Sequence, residues 1–260
     1  MKKIFKYAFL FLIAGAMSTS FSACSSDDNS DPIGEVGKKL GESEDSYLAK
    51  VLAAYTDATV NPTYASMAVN ATDFFNHMKA LRDAVDKGNA TQEMVNAACE
   101  SWKKARADYE SSEAFLLGAA SDYNIDPHID TWPLDLTALH SELVSPAKMA
   151  RYTTDNDEEN INNLHNDLNQ NLLGFHAVEF IIFRDGAPRK VASFSNTYDD
   201  YKDRANFTDV KAIDELKYGV AVAGDLMYSI YQLEVCWSGQ TKAHKEALEN
   251  LGWKTTMPSV

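Results

Sequence analysis

His176 and Glu179 lie three residues apart in the stretch Gly174-Phe175-His176-Ala177-Val178-Glu179-Phe180-Ile181-Ile182-Phe183. On an α-helix, positions i and i+3 share a face, so the imidazole and the carboxylate can be aimed at one point. The neighbours Leu172, Leu173, Phe175, Val178 and Phe180 to Phe183 are apolar, which predicts a helix buried on most sides. A buried ionised carboxylate is costly unless a cation or a donor meets it. A neutral imidazole beside a carboxylate is an ordinary ligand pair for zinc or iron. The plainer reading is a buried histidine hydrogen-bonded to an acid, since HxxE spacing recurs by chance. The pair is not the HExxH of helical zinc proteases: no second histidine follows and no acid adjoins His176. The inverted HxxEH fails because position 180 is Phe.

The elements that must position this pair read as helical along most of the chain. Tyr47, Leu48, Val51, Leu52 and Tyr55 predict a first helix, with Ser43 or Asp45 as its cap. Asn61-Pro62 opens a second, carrying Tyr64, Met67, Phe74, Met78, Leu81 and Val85 and stopping at Lys87-Gly88-Asn89. A third runs from Thr91 to near Gly118. Residues 119–135, with Asp122, Asp126, Pro127, His128, Asp130, Trp132, Pro133 and Asp135, read as a loop. Helical pattern returns over residues 136–143, and a polar stretch follows from Asp155 to Asn171. The motif helix spans about 172–184 and is broken by Asp185-Gly186-Ala187-Pro188. A last long helix covers about 208–237. No convincing run of alternating strand residues occurs. The expected class is all-α, an antiparallel helix bundle, a fold whose interior often holds metal sites built from facing helices. His128 is expected in a loop and could supply a nitrogen ligand; His77, His140, His165 and His244 are expected to be solvated, and Trp102, Phe115 and Trp132 to be core.

The N-terminus reads as a targeting segment. Lys2, Lys3 and Lys6 precede an apolar run from Tyr7 to Met17, which is too short to span a bilayer comfortably. Phe21-Ser22-Ala23-Cys24 then resembles a bacterial lipobox, and cleavage would leave Cys24 as a lipidated N-terminus. The alternative is an ordinary signal peptide cut nearby. Residues 1–23 are thus expected to be a signal peptide, residues 24–43 a flexible acidic tether and residues 44–255 the folded domain. Asp27-Asp28 resembles an acidic surface-export signal of lipoproteins, so the expected location is the bacterial cell envelope, as an outer-membrane lipoprotein exposed at the surface. The formal net charge of −14 becomes more negative once the three leader lysines are lost. No basic patch offsets it, which argues against nucleic-acid binding. Cys99 and Cys236 sit in apolar helical patterns, which favours buried free thiols over a bridge.

Three sequence elements taken together resemble the imelysin family. Trp102-Lys103-Lys104-Ala105-Arg106 leads to Glu113-Ala114-Phe115; Trp132-Pro133-Leu134-Asp135 follows; Gly174-Phe175-His176-Ala177-Val178-Glu179 completes the order. The family pattern is W-x-x-A-R with E-A-F, then W-P-x-D, then G-x-H-A-x-E. These are exported, helical, often lipid-anchored bacterial proteins associated with iron acquisition and once described as insulin-cleaving metallopeptidases. The resemblance implies that His176 and Glu179 line a cleft with Glu113 and Asp135, with Asp130 as a further acid and Arg106 pairing with one of the carboxylates. Imelysin domains usually have two related helical halves. Only about 80 residues follow Glu179, so one bundle half plus part of the second is expected.

Three functions follow as alternatives. The first is capture of a metal, iron before zinc, or of an iron chelate, for an outer-membrane transport partner. The second is zinc-dependent peptidase chemistry, which needs a third ligand and a general base that the motif does not itself supply. The third is a structural or adhesive lipoprotein with a vestigial site.

Overall fold

The computed structural model describes residues 41, 43–194, 207–238 and 241–256. The apolar leader, Cys24 and nearly all of the tether lie outside the described residues. The chain divides into two compact units, residues 1–56 and 57–260. In the first, helix α1 (Glu44–Tyr55) is capped by Ser43, whose hydroxyl accepts the Ser46 N–H at 3.3 Å. It buries none of its residues.

The second unit is the helix bundle. Its frame is α2 (Asn61–Asp86), α3 (Gln92–Ser112) and α10 (Ala212–Ser238), with α2 packed against both of the others. Pro62 sits in the first turn of α2, where a missing N–H costs nothing, and Gly88 in the left-handed region turns the chain back into α3. Tyr64, Met67, Ala68, Ala71, Phe74, Met78 and Leu81 form the buried stripe of α2, the helical period expected of a core-facing surface. Helix α10 differs. Leu216, Val220, Ala221, Val222, Ala223, Leu226, Ile230 and Leu233 are all buried, so it is enclosed on every side rather than amphipathic. Gly224 permits its tightest approach: a β-carbon there would stand 2.2 Å from Cδ1 of Ile161.

Shorter helices lie around this frame. In the span expected to be a loop, the chain forms two one-turn helices, α4 (Ala119–Asp122) and α5 (Asp126–Ile129). Asp135 caps α6 (Leu136–Leu143), and the short α7 (Pro146–Met149) follows. The polar stretch also folds, as α8 (Asp157–Asp167), whose cap Asn156 accepts the N–H groups of Glu158 and Glu159. The motif helix α9 is shorter than expected, Gly174–Ile182. It gives way to a two-stranded hairpin, β1 (Phe183–Arg184) paired antiparallel with β2 (Ala187–Pro188). Asp185 and Gly186, both at positive φ, make the Asp-Gly turn that suits such a hairpin. Helix α11 (Lys242–Asn250) packs on α10. The bundle class expected from the periodicity holds, with this hairpin as the strand content of the described residues. Cys99 and Cys236 are buried free thiols; burial pushes them up to about 12 and about 11, so neither offers a thiolate near neutral pH. Among the described residues no helix is long and apolar enough to cross a membrane.

Candidate functional site

The geometry around His176 begins with a backbone contact. Gly174, at φ +74, opens α9 directly against the last residue of α5: a β-carbon there would stand 2.2 Å from the carbonyl oxygen of Ile129. This approach fixes Asp130, which follows α5, beside the motif helix. His176 lies between two acids, with Nε2 3.1 Å from Oδ1 of Asp130 and Nδ1 3.2 Å from Oε2 of Glu179. Arg106 on α3 donates from Nη1 to the same Asp130 oxygen at 2.5 Å and from Nη2 to Glu110 at 2.5 Å. Its guanidinium lies over the rings of Tyr109 and Phe175. The spacing therefore does aim the pair at common ground, and Asp130 and Arg106 join it.

Trp132 was expected in the core. It is instead 73% exposed, with its ring 4.7 Å from the imidazole of His176. It forms an apolar cover on the solvent side of a half-buried ionic group. Trp102, also expected in the core, is half-buried and donates its indole N–H to the Phe175 carbonyl at 3.1 Å. Phe115 is core, as expected.

The electrostatics follow from the contacts. Hydrogen bonds to Asp130 and Glu179 outweigh burial and push the His176 imidazole up to about 9. Burial opposes ionisation of Asp130, yet His176 and Arg106 together hold its carboxyl below the ordinary range. At neutral pH the resting state is an imidazolium clamped by two carboxylates. A metal can take a nitrogen here only by displacing a proton, so uptake should strengthen as pH rises. The sign for stability is opposite. The folded-state value is raised above 6.5, so this contribution is fully present below about 6.5 and is lost as pH climbs through about 9. In thermal melts, the advantage of wild type over His176→Gln should be largest at pH 6 and nearly gone at pH 10. An advantage independent of pH would refute the clamp.

Two expected ligands sit elsewhere. Asp135 acts as the cap of α6: its Oδ1 accepts the Ala138 N–H at 2.9 Å, and its Oδ2 accepts from Asn171 at 3.5 Å. That is the ordinary role of an aspartate at a helix start. Glu113 is exposed in the 3₁₀ turn Glu113–Phe115 that ends α3. Neither is among the described partners of His176.

Sequence reasoning missed a second cluster. His165 on α8 and His128 on α5 both contact Asp225 on α10, through Nδ1 to Oδ1 at 2.7 Å and Nδ1 to Oδ2 at 3.3 Å respectively. The Asp225 side chain is fully buried, and His165 is not solvated as expected but in ring contact with His128, at 4.4 Å between centroids, and with Trp253, at 3.8 Å. Burial opposes the Asp225 charge, and the two imidazoles hold the carboxyl below its usual range. The available signal was Asp225 itself, an acid set in the apolar run Ala221-Val222-Ala223-Gly224-Asp225-Leu226-Met227. His244 too is engaged, stacked on Tyr231 at 3.7 Å and paired with Glu234.

Comparison with known proteins agrees with the helical fold and the motif order. The sequence model of the imelysin family matches residues 60–257. Iron-regulated protein A of Synechococcus elongatus is 24% identical over 172 residues, which cover 66% of this chain and 37% of that protein. The match thus spans little more than a third of the length of the relative. With the three motif elements on α3, on the α5–α6 segment and on α9, and with the family match running through nearly all of the bundle, this chain belongs to the imelysin family.

Proposed function

We propose that this protein is an exported, lipid-anchored binder of a metal ion, iron before zinc, or of an iron chelate, which it holds at His176, Glu179 and Asp130. The observation that carries this reading is the seat of His176, a half-buried imidazole with a carboxylate on each ring nitrogen and an exposed indole over it. Once the proton leaves, one nitrogen and two carboxylates remain, a hard-to-borderline donor set suited to Fe or Zn. Arg106 has two roles in this reading. It keeps Asp130 ionised, and as Asp130 turns toward a metal it can keep Glu110 as its partner. Family membership and a relative named for regulation by iron are consistent with the choice of metal. The lipobox-like Phe21-Ser22-Ala23-Cys24 supports a lipid anchor at the outer membrane of the cell envelope, where a transport partner would receive the cargo.

The test is metal content after anaerobic equilibrium dialysis against Fe(II), read by elemental analysis. The His176→Ala/Glu179→Ala protein should hold one ion per chain fewer than wild type. In cells, Cys24→Ala should move the protein out of the membrane fraction. Equal iron in the two dialysed proteins would end the reading.

A further inference from the structure

Asp225 poses a problem that the groove at His176 does not address. It sits in the middle of α10 with its side chain fully buried, and an ionised carboxylate in such a place needs donors or a cation. His128 and His165 face it from two other helices. Ligand atoms of the three residues lie within 4.8 Å of one another. That is compact enough for a single ion to reach all three with bonds of about 2.0–2.2 Å after small side-chain adjustments.

The surroundings supply a second, independent indication. His128 and His165 line an open cavity of about 300 Å³, together with Asn162, Asn166, Ser229 and Gln232. Ser229 stands one helical turn from Asp225, at i+4 and therefore on the same face of α10. It is 1% exposed, and its hydroxyl has no hydrogen-bond partner. A buried polar atom in that state calls for an explanation, an ion or a bound molecule among them. Two imidazoles are enough to satisfy Asp225, but they leave the Ser229 hydroxyl and the open space beside it unaccounted for. Lys254 also lines the cavity, but its ammonium sits over the ring of Tyr123, 4.7 Å from the centroid.

We propose that His128, His165 and Asp225 form a second metal site, separate from His176, that takes a divalent first-row transition ion. Two imidazoles and one carboxylate suit Fe(II) or Zn(II). The set has too few oxygens for Ca(II) or Mg(II) and no thiolate to select Cu(I). Three protein ligands on one side leave the remaining positions toward the cavity, where Ser229 or a small oxygen ligand completes the shell. An ion here also neutralises the buried charge on α10, so binding and bundle stability are linked.

The test uses the His176→Ala/Glu179→Ala protein as background, so that the first groove is silent. Titrated calorimetrically with Zn(II), it should bind a single ion per chain. Adding His165→Gln or His128→Gln should weaken that binding by roughly 100-fold or more, beyond what loss of an outer-shell partner alone would cost. Co(II) should give a visible absorption band in the background protein that both additions abolish. Circular dichroism establishes that each variant is folded, and His165, on the cavity wall, is the milder replacement. Wild type and background protein holding equal metal would remove the reading of His176 and leave this site standing. No zinc bound by the background protein, or unchanged affinity in a folded His165→Gln variant, would overturn it.

Discussion

Gly174→Ala should unfold this bundle about 10 °C earlier than wild type and disable both candidate sites together. Two costs add. Residue 174 has φ +74, and an L-side chain in the left-handed region costs about 1–2 kcal/mol. The new methyl would also stand 2.2 Å from the oxygen and 2.6 Å from the carbon of the Ile129 carbonyl, and 3.1 Å from the oxygen of His128. These are backbone atoms, so no rotamer relieves the overlap; α5 must move or the first turn of α9 must unwind. Overpacking of that kind costs about 1–3 kcal/mol. Together roughly 2–5 kcal/mol is lost, and for a domain of this size each kcal/mol lowers the melting temperature by about 2–4 °C. The functional consequence follows from what α5 carries. His128 reaches Asp225 on one side, and Asp130, two residues on, reaches His176 on the other. Gly186→Ala is the control. It has the same φ of +74 with nothing within 4 Å of the added carbon, so only the conformational cost of about 1–2 kcal/mol applies. Equal melting temperatures for the two variants would show that the α5–α9 contact is not what Gly174 serves.

That contact also marks where the sequence stops being readable. Periodicity identifies a helix by its buried stripe, and α2 declared itself in this way from Pro62 to its stop at Lys87-Gly88, as the shorter α6 did at both ends. A helix of four residues has no period, so α4 and α5 were hidden in a run rich in Asp and Pro. Helix α8 buries only Asn160, Ile161 and Leu164, too few apolar positions to stand out against its polar face. The His176–Glu179 pair was legible because i and i+3 share a face whatever else the chain does. Asp130 and Arg106 entered through resemblance to a family, not through spacing. His165 and Asp225 are 60 positions apart, and nothing local to either tells which distant helix it will meet. Asp135 shows the converse case. The family motif pointed to a ligand, while its position after Pro133 and before a helix also suits a cap, and the structure places it as that cap. Trp132 was assigned to the core on residue type alone, although large aromatics are also what a protein uses to cover a polar site from outside.

Arg189→Met should cost about 3–5 kcal/mol, the cost of breaking a fully buried ion pair by removing its guanidinium. Arg189 and Glu215 both have fully buried side chains, with Nη1 3.4 Å from Oε1. The guanidinium also donates to the Ile181 carbonyl at 2.8 Å and to the Ser193 hydroxyl at 3.0 Å, and it lies 4.3 Å from the ring of Phe194. One side chain therefore ties the end of the motif helix to the start of α10. Gln92 reinforces the same corner, donating to the Arg189 carbonyl and accepting from Val191 N–H. A lysine lacks the planar fork that makes these contacts simultaneously, so Arg189→Lys should recover only part of the loss. The decisive comparison is a double-mutant cycle in urea. Once Arg189 is gone, Glu215→Gln removes a buried charge that has lost this guanidinium, so the double variant should be more stable than Arg189→Met alone. If the ion pair were incidental and Arg189 acted only through its carbonyl partners, Glu215→Gln would instead cost the same in both backgrounds, and the two effects would simply add.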